Sequence, residues 1–527
     1  MPTVIAANPP EEFLGHPKGL YVCFFTEMWE RFSFYGMKAL LLLYLTKYHL
    51  FSDEHGYNLI GAYGGLVYAM PVIGGLLADR YLGMRKAVVF GGILLVLGHM
   101  GMAIEGHRAT VVDGVVHRDA AALQVFYFSL SLIILGVGFL KPNISTIVGK
   151  LYAENDPRRD SGFTIFYAGI NLGAFFSSLL CAWLGETYGW KYGFGAAGIG
   201  MLIGLAVFTC GQKHLLGHAE PKDPAKLAQR VCGPLTREHL IYLGGIAGLF
   251  AIWALIQQHS LFLEIIPGVF EPSPVLLAMH LVTASLLGGV IWFMATRCNR
   301  IERGQMAAVL AFIVFCLLFF TLYEETYGSW LLFSDRVMNR AALGVNWTAG
   351  QLTSLGALFI FVLAPVFSWL WPRLEKSGLN PGKAVKSGLG LIFGGLSFLL
   401  LVWSAHHPQA NGLTGIGWFV GAYFVLEIGE MLLSPIGLSA VTQLSVPRVA
   451  GLMMGGWWLG TSYSEVLAAA LGKLSAIDIP AGGVLNVADA LAKYDQVFVF
   501  SAKIGIGCGL AVLAAAPLVK RWMHGVQ

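Results

Sequence analysis

Residues 21–45, YVCFFTEMWERFSFYGMKALLLLYL, form an apolar segment interrupted by charged residues. It is long and apolar enough to cross a bilayer, because a membrane-spanning helix needs about 20 mostly apolar residues. Yet it carries four charged residues, which are Glu27, Glu30, Arg31 and Lys38. They recur at helical spacing together with Tyr35, so all five side chains lie along one face of the helix. Such a helix indicates a bundle in which one face lines a polar pathway.

The composition of the whole chain indicates a membrane protein. Of its 527 residues, 56% are hydrophobic and only 12% are charged, and the mean hydropathy is +0.67. A soluble domain carries about 25% charged residues, because it must cover itself with polar groups. The net charge of +4 comes from basic residues scattered through short loops, so no nucleic-acid partner is expected. We therefore expect a polytopic protein whose surroundings are the lipid bilayer.

The potential metal ligands show no pattern of a metal centre. The seven cysteines form no CxxC pair, and most lie in apolar runs, where a free cysteine behaves as a small hydrophobic residue. The fourteen histidines have no metal-ligand spacing. The longest polar loop, 212–237, is short for an enzyme, and no nucleophile–histidine arrangement occurs in the chain. We predict no metal, no cofactor and no catalytic residue.

Hydropathy predicts fourteen membrane-spanning helices, arranged as six, two and six. The middle pair covers residues 238–257 and 274–296. Three predicted domains follow from this arrangement: an N-terminal six-helix bundle at 1–212, a cytoplasmic linker with two extra helices at 213–304, and a C-terminal six-helix bundle at 305–527.

Basic loops suggest both a duplication and an orientation. The turns GGLLADRYLGMRKAVVF and SWLWPRLEKSGLNPGKAVKSG lie one in each six-helix half, which suggests a parallel repeat around a central cavity, as in the major facilitator fold. With the N-terminus placed in the cytoplasm, 22 basic residues fall in inside loops and eight in outside loops. The positive-inside rule and the even number of spans then place both termini in the cytoplasm.

Charged residues also interrupt the later apolar runs. Lys141 lies in LGVGFLKPNISTIVG of the fourth helix, and the second half contains Glu324, Glu325, Glu427 and Glu430. Each buried charge costs at least about 2.5–3.5 kcal/mol at the bilayer centre, so it marks a functional site. The first half therefore contributes a cationic cavity wall and the second half an anionic one. Such a cavity suits a small zwitterion, with its carboxylate on one half and its ammonium on the other.

The same residues resemble a known family, the proton-dependent oligopeptide transporters. The first-helix signature of that family is E-x-x-E-R-F-x-Y-Y, and this chain has EMWERFSFYG at 27–36. Further family motifs follow in family order: GGLLADRYLG, KPNIS, FYAGINLG and GEMLLSPIGLS. The resemblance spans nearly the whole chain. It implies an all-α fourteen-helix fold of the bacterial type, with two six-helix bundles and two inserted helices.

The resemblance also implies a function. A member of this family is expected to be a proton-coupled symporter that imports di- and tripeptides by alternating access. Its partners are then the peptide, protons and the bilayer, and the proton gradient drives it without a cofactor. We expect a monomer, in the inner membrane of a bacterial cell.

Site residues follow from the resemblance, position by position. Proton coupling is expected at Glu27, Glu30, Arg31, Lys141 and Glu325. Substrate binding is expected at Arg31, Tyr35, Lys38, Tyr68, Lys141, Asn171, Glu430, Ser434 and Trp457. Either Glu324 or Glu325 matches a gate acid that pairs with the first-helix cation, and the spacing to Gly328 favours Glu325.

The chain departs from the family pattern at several positions. Phe34 stands where the family has a tyrosine, and Lys38 replaces an arginine, which loses bidentate carboxylate binding. Gly356 and Ala357 stand where Asn-Pro is common, which weakens the expected cage around the peptide amino group. The alternative of a symporter for another small zwitterionic or anionic solute therefore stays open. A channel is disfavoured, because scattered charges of both signs do not form selectivity rings.

Overall fold

The computed structural model describes residues 11–153, 156–215, 217–258, 274–479 and 483–526. Within these ranges the chain is mostly helical, and its short strands form two-stranded pieces near the helix ends. The all-α fold class predicted from the sequence is confirmed.

The helices of the described ranges are α1 (Lys18–Lys47), α2 (Asp53–Leu77), α3 (Met84–Met102), α4 (Ala120–Lys150), α5 (Arg159–Tyr188), α6 (Trp190–Gly211), α7 (Pro224–Ala228), α8 (Arg237–Gln257), α9 (Pro274–Arg297), α10 (Arg300–Tyr323), α11 (Ser329–Arg336), α12 (Ser354–Lys376), α13 (Lys383–His406), α14 (Ile416–Leu444), α15 (Ala450–Lys473) and α16 (Val487–Trp522). A π-helical turn covers Ala78–Leu82, and 3₁₀ turns cover Gln212–Leu215, Glu324–Tyr327, Gly350–Thr353 and Pro447–Val449. The strands are β1 (Glu12–Phe13), β2 (His16–Pro17), β3 (Thr110–Val112), β4 (Val115–His117), β5 (Arg230–Cys232), β6 (Leu235–Thr236), β7 (Met338–Asn339), β8 (Ala341–Ala342), β9 (Val345–Asn346) and β10 (Thr414–Gly415).

The strands pair locally. Four pairs are antiparallel hairpins, β1 with β2, β3 with β4, β5 with β6 and β8 with β9, whereas β7 and β10 pair in parallel. In the last pair Thr414 is opposite Met338 and Gly415 is opposite Asn339.

Twelve helical segments of the described chain are long and apolar enough to cross a membrane, two fewer than the fourteen predicted. The predicted spans outside this set are α1 and α15, which have 30 and 24 residues. Their composition sets them apart, since α1 carries Glu30 and Arg31 near its middle and α15 is rich in glycine and serine. Long helices thus occur at the positions where spans are predicted, but two of them are more polar than ordinary membrane helices.

The chain forms two compact units. The first contains Met1–Met37, Met70–Glu105 and Ala121–Ala254, and the second contains Lys38–Ala69, Gly106–Ala120 and Leu255–Gln527. Helix α1 contributes to both, with its first part in one unit and its second part in the other. The division into an N-terminal bundle, a linker with two helices and a C-terminal bundle remains a prediction.

Close helix packing in the first unit depends on glycine. A Cβ atom on Gly91 of α3 would lie 2.5 Å from the carbonyl oxygen of Gly136 in α4. A Cβ atom on Gly98 would likewise lie 2.9 Å from the backbone oxygen of Ser129. Small residues of this kind let membrane helices approach backbone to backbone. Helix α8 joins the same unit through the Lys86 ammonium, which lies 2.6 Å from a Glu238 carboxylate oxygen.

The second unit uses glycine in the same way and adds an aromatic cluster. Between α13 and α16, a Cβ atom on Gly505 would lie 2.7 Å from Cα of Gly395. Trp330 of α11 is fully buried, and its ring packs edge-on against Phe398 of α13 and Tyr423 of α14. One helix of this cluster, α14, carries Glu427 and Glu430 of the predicted acidic wall.

Helix α9 of the predicted inserted pair packs on α15 in the second unit. The Nδ1 atom of His280 and the Tyr463 hydroxyl share a hydrogen bond of 2.6 Å, and Thr283 donates to the same hydroxyl at 3.1 Å. The residues between α8 and α9, 259–273, lie outside the described ranges.

Candidate functional site

In the first unit, the signature on α1 forms a buried ion cluster. Glu27, Glu30 and Arg31 are 3%, 0% and 2% exposed. The Arg31 guanidinium donates from two nitrogens to the two carboxylate oxygens of Glu30, and its Nη2 lies 2.5 Å from Oε1. Its Nε also lies 3.3 Å from Oε1 of Glu27, one turn earlier on the helix. One guanidinium thus serves two carboxylates, as the i, i+3 and i+4 spacing predicts.

Aromatic rings lie beside the Arg31 guanidinium. Its central carbon is 5.1 Å from the centroid of the Phe34 ring and 5.9 Å from that of Tyr35. Cation–π contacts of this length stabilise a buried guanidinium without removing its capacity to donate hydrogen bonds. The phenylalanine at position 34 therefore keeps the ring of the family pattern and loses only the hydroxyl.

Lys141 and Asn171 also belong to the first unit. Lys141 of α4 is half-buried and close enough to Glu27 to interact with it electrostatically. Asn171 of α5 is 7% exposed, and its amide donates to the backbone oxygen of Tyr167 at 3.1 Å. The amide oxygen of Asn171 can accept a hydrogen bond from another group. The structure thus places Lys141, but not Asn171, in electrostatic contact with the α1 cluster.

In the second unit, Lys38 joins two acids from distant parts of the chain. Its ammonium donates to Oε2 of Glu324 and to Oε1 of Glu465, each at 2.6 Å. It also lies 4.9 Å from the centroid of the Tyr327 ring. Glu324 is in the 3₁₀ turn after α10 and Glu465 is in the middle of α15. We call these three residues, Lys38, Glu324 and Glu465, the lysine triad.

A small cavity adjoins the lysine triad. Its volume of about 20 Å³ is enough for one water molecule, and its lining includes Tyr57 and Tyr63 beside the triad. Gly64 of α2 gives the Glu465 carboxylate room, because a Cβ atom at that position would lie 2.6 Å from Oε2. A site with an ammonium, two carboxylates and room for water can exchange protons.

The acid that pairs with Lys38 is Glu324, whereas the spacing to Gly328 favoured Glu325. Glu325 is 1% exposed and accepts hydrogen bonds from the Ser329 hydroxyl and, at 3.3 Å, from the Ser329 backbone N–H. The 3₁₀ turn causes the difference, because it turns neighbouring side chains to different faces. The expected pairing of Glu325 with the first-helix cation is therefore corrected to Glu324. Its role in proton coupling stays a prediction.

A second acidic site lies on α14. Glu427 and Glu430 are 0% and 8% exposed, and their carboxyl groups are close enough to interact electrostatically. Both oxygens of Glu427 and Oε2 of Glu430 have no hydrogen-bond partner among the described residues. Gly356 of α12 packs against the same pair, since a Cβ atom there would lie 2.9 Å from Oε1 of Glu427. Two adjacent buried carboxyl groups cannot both be ionised without a nearby cation. One of them therefore holds a proton, or a cationic ligand binds beside them. The glycine that departs from the family pattern thus leaves space beside an acid.

The two aromatic residues predicted as cavity walls, Tyr68 and Trp457, have different packing partners. Tyr68 stacks on Trp458, with ring centroids 6.3 Å apart, whereas Trp457 is 7% exposed and packs against Gly437 of α14. Ser434 is half-buried, one turn after Glu430. Trp458 was missed from the sequence, because two adjacent tryptophans give no sign of which one faces a partner.

His49 follows α1 in a loop of the second unit. Burial, together with the nearby charge of Arg118, lowers the pKa of its imidazole to about 4. His49 is therefore neutral at physiological pH and does not take up protons in that range. Carboxylates, not this histidine, remain the candidates for proton uptake.

The sequence did not reveal the partners in these sites. The sequence assigns no role to Glu465 or to Tyr323, yet Glu465 is in the lysine triad and Tyr323 lies beside Glu427 and Glu430. The available signal for Glu465 was its charge within an apolar run. A charge in such a run indicates a function without naming the partner.

Comparison with known proteins identifies relatives along the whole chain. The model of the POT family matches residues 85–479. The uncharacterized transporter YclF of Bacillus subtilis is 33% identical, and the match covers 99% of this chain and 98% of the relative. The peptide transporter YePEPT of Yersinia enterocolitica is 33% identical, with 87% of this chain and 88% of the relative covered. A crystal structure of a POT peptide transporter variant in complex with alafosfalin has a TM-score of 0.78 at 33% identity, covering 99% of this chain and 98% of the other.

Proposed function

This chain belongs to the POT family, and we propose that it is a proton-coupled symporter that imports di- and tripeptides by alternating access. The observation that carries this proposal is the buried cluster of Glu27, Glu30 and Arg31. Its guanidinium holds a carboxylate of the protein in the bidentate geometry that it would use for the carboxylate of a peptide.

Coupling follows from competition for the guanidinium. When Glu30 is ionised, both of its oxygens accept hydrogen bonds from Arg31. A protonated Glu30 loses the charge that holds this pair together, and the guanidinium becomes available to the peptide carboxylate. Proton uptake and peptide binding therefore favour each other. Glu27 and Lys141 adjust the charge around the same guanidinium.

Substrate binding uses both signs of charge. The carboxylate end is held by Arg31 and Lys141, with Tyr35 beside them. The amino end is held by Glu430, with Asn171 and Ser434 as further polar partners and with Tyr68 and Trp457 as apolar walls. The buried, unpartnered carboxylate oxygens of Glu427 and Glu430 support this assignment, because a substrate ammonium provides the cation that two adjacent carboxyl groups lack.

The lysine triad is a second coupling element. Lys38 contacts Glu324 and Glu465 at the same time, so the three groups together carry one excess negative charge when both acids are ionised. A proton on one carboxyl group balances that charge. We assign the triad to a gate, at which Lys38 exchanges these acids for substrate or solvent during the transport cycle. Glu325, buried beside Ser329, is the neighbouring candidate for a proton site.

The proposal includes a membrane location, an orientation and a driving force. The protein is a multi-pass membrane protein, and we place it in the inner membrane of a bacterial cell with both termini in the cytoplasm, as a monomer. Two six-helix bundles, 1–212 and 305–527, move around the peptide, with the segment 213–304 as an insertion. The proton gradient drives the cycle without a cofactor, and about 2.3 kcal/mol per charge per 100 mV supports about fiftyfold accumulation per proton.

Uptake of labelled dialanine into proteoliposomes tests the proposal. With an inward proton gradient, we expect accumulation that a proton ionophore abolishes. Excess unlabelled dipeptides and tripeptides should compete, whereas single amino acids and nitrate should not. Competition by single amino acids or nitrate but not by peptides would replace the peptide with another small zwitterion or anion, and accumulation insensitive to the ionophore would contradict proton coupling.

A further inference from the structure

A large cavity lies within the second unit, apart from the lysine triad. Its volume is about 860 Å³, and it is bounded by the last turns of α12 and α16, the start of α13 and the second half of α14. Its apolar lining includes Phe367, Met431, Leu513 and Met523. Cavities of 300–1,000 Å³ are typical binding sites for organic molecules.

Basic residues line one side of this cavity. Lys383 and Lys386 come from the start of α13 and Lys520 comes from the last turns of α16, against a single lining acid, Glu375. Glu375 accepts a hydrogen bond from the Asn380 amide at 2.5 Å. The cavity thus combines a cationic side with an apolar wall, which is the chemistry of an amphipathic anion.

Lys386 is the most informative of these lysines, because it is 7% exposed. Its ammonium lies 3.7 Å from the centroid of the Trp371 ring, and the Glu375 carboxylate attracts it from beyond the contact distance of a salt bridge. A buried ammonium without a carboxylate at contact distance is costly. An anion bound in the cavity would remove that cost.

The position of the cavity indicates which class of anion it binds. Helices α12 and α16 end beside it and α13 begins there, so it opens at one surface of the bilayer. On the same helix end the Arg373 guanidinium lies 3.7 Å from the Trp369 ring, and Trp369 is 57% exposed. Tryptophan and basic residues are typical of the membrane interface, where lipid headgroups lie.

We propose that this cavity binds an anionic phospholipid. Lys386, Lys383 and Lys520 contact the phosphodiester, and an acyl chain packs against Phe367, Met431 and Leu513. Basic pockets between membrane helices bind lipid headgroups in this way. The site is independent of the transported substrate, so it can be tested whether or not the transport proposal holds.

Native mass spectrometry of the full-length protein in detergent tests the proposal. Phosphatidylglycerol and phosphatidylcholine are added in separate titrations, and the bound lipids are counted. We expect the wild type to retain at least one phosphatidylglycerol more tightly than phosphatidylcholine. Lys386→Met should weaken that binding by about fivefold, because one basic residue near a bilayer contributes about 1 kcal/mol.

Matched variants make the outcome decisive. Lys376→Gln removes a lysine from the exposed end of α12, outside the cavity lining, and should bind phosphatidylglycerol like the wild type. If Lys386→Met does not fold, the double variant Lys383→Gln and Lys520→Gln changes less buried positions and should weaken phosphatidylglycerol binding by at least about fivefold. Equal binding of the two lipids, or equal losses in the lining and control variants, would overturn the proposal. Full displacement of the lipid by millimolar inorganic phosphate would assign the site to free phosphate and overturn the lipid as occupant.

Discussion

Arg31 illustrates how one residue serves two purposes in a membrane. Its guanidinium contacts the carboxylates of both Glu27 and Glu30, and we propose that the same nitrogens bind the carboxylate of a peptide during the transport cycle. A lysine could neutralise one acid, but it has no planar fork for bidentate binding. We therefore propose that Arg31 exchanges a carboxylate of the protein for the carboxylate of the peptide.

Glu30→Gln should abolish proton-driven accumulation of dialanine and leave counterflow largely intact. Glutamine cannot ionise at position 30, so the guanidinium of Arg31 no longer alternates between a protein carboxylate and the peptide. Uptake into proteoliposomes with and without a proton gradient measures both properties. Glu302→Gln is the matched control, because it changes a carboxylate in the capping box at the start of α10 and should accumulate like the wild type. Concentrative uptake by Glu30→Gln would place the proton site elsewhere.

Glu430→Gln should lower dipeptide affinity by about ten- to a hundredfold. A hydrogen bond to a charged group contributes about 1.5–3 kcal/mol, and we assign the substrate ammonium to this carboxylate. The measurement is the affinity of wild type and variant for dialanine and for N-acetylated dialanine, which lacks the ammonium. Acetylation should weaken binding to the wild type strongly and to the variant only slightly. Equal effects of acetylation in both proteins would show that Glu430 does not bind the amino group.

Among the secondary-structure elements, the Lys38 ammonium connects the second part of α1 to α15 and to the 3₁₀ turn after α10. Lys38 has two acidic partners, so removing the cation and removing one acid are not equivalent changes. The first change leaves two buried carboxylates without a cation. The second leaves a balanced ion pair.

Lys38→Gln should therefore destabilise the protein more than Glu465→Gln. Removing one partner of a buried ion pair costs about 3–5 kcal/mol, whereas loss of Glu465 leaves Lys38 paired with Glu324. Thermal unfolding of the two variants in detergent compares them directly. A lower midpoint for Glu465→Gln than for Lys38→Gln would contradict the arrangement of the lysine triad.

The contact between α13 and α16 gives a prediction about packing. In Gly505→Ala, the added methyl group would lie 2.7 Å from Cα of Gly395, so the two helices must separate. We expect a loss of about 1–3 kcal/mol, the usual effect of overpacking. The control is Gly507→Ala on the same helix, where an added Cβ atom has no neighbour within 4 Å. Equal thermal stability of the two variants would show that the helices are not tightly packed at Gly505.

At the scale of the whole molecule, charge distribution sets the orientation. The excess of basic residues in alternate loops predicts cytoplasmic termini, and the loop at 407–413 between α13 and α14 contains neither lysine nor arginine. That loop is then expected outside the cell. Orientation and the number of spans are linked, because each additional crossing reverses the side of the C-terminus.

Reporter fusions test this orientation. A fluorescent protein at the C-terminus should fluoresce, because it folds in the cytoplasm, and alkaline phosphatase inserted at 408–412 should be active, because it needs the outside of the cell. A fluorescent protein at 408–412 and phosphatase at the C-terminus are the reciprocal controls and should both be inactive. Activity of a C-terminal phosphatase would contradict an even number of spans.

The fold class, the family and the placement of the charged residues on one face of α1 can all be predicted from the sequence. Hydropathy, helical spacing and local motifs depend on residues that are near each other in the chain, so they can be read without a structure. The contact of Arg31 with Glu27 and Glu30 belongs to this class, because one helical turn separates the three residues.

The partners that these residues have in distant parts of the chain follow from the tertiary structure and not from the sequence. Glu324 and Glu465 are 286 and 427 positions from Lys38, and the choice of Glu324 over its neighbour Glu325 depends on the rotation of a short 3₁₀ turn. The cavity beside Lys386 is likewise formed by four helices that are separate in the chain. The local sequence indicates that a charged residue is buried. The identity of its partner depends on how helices from distant parts of the chain pack.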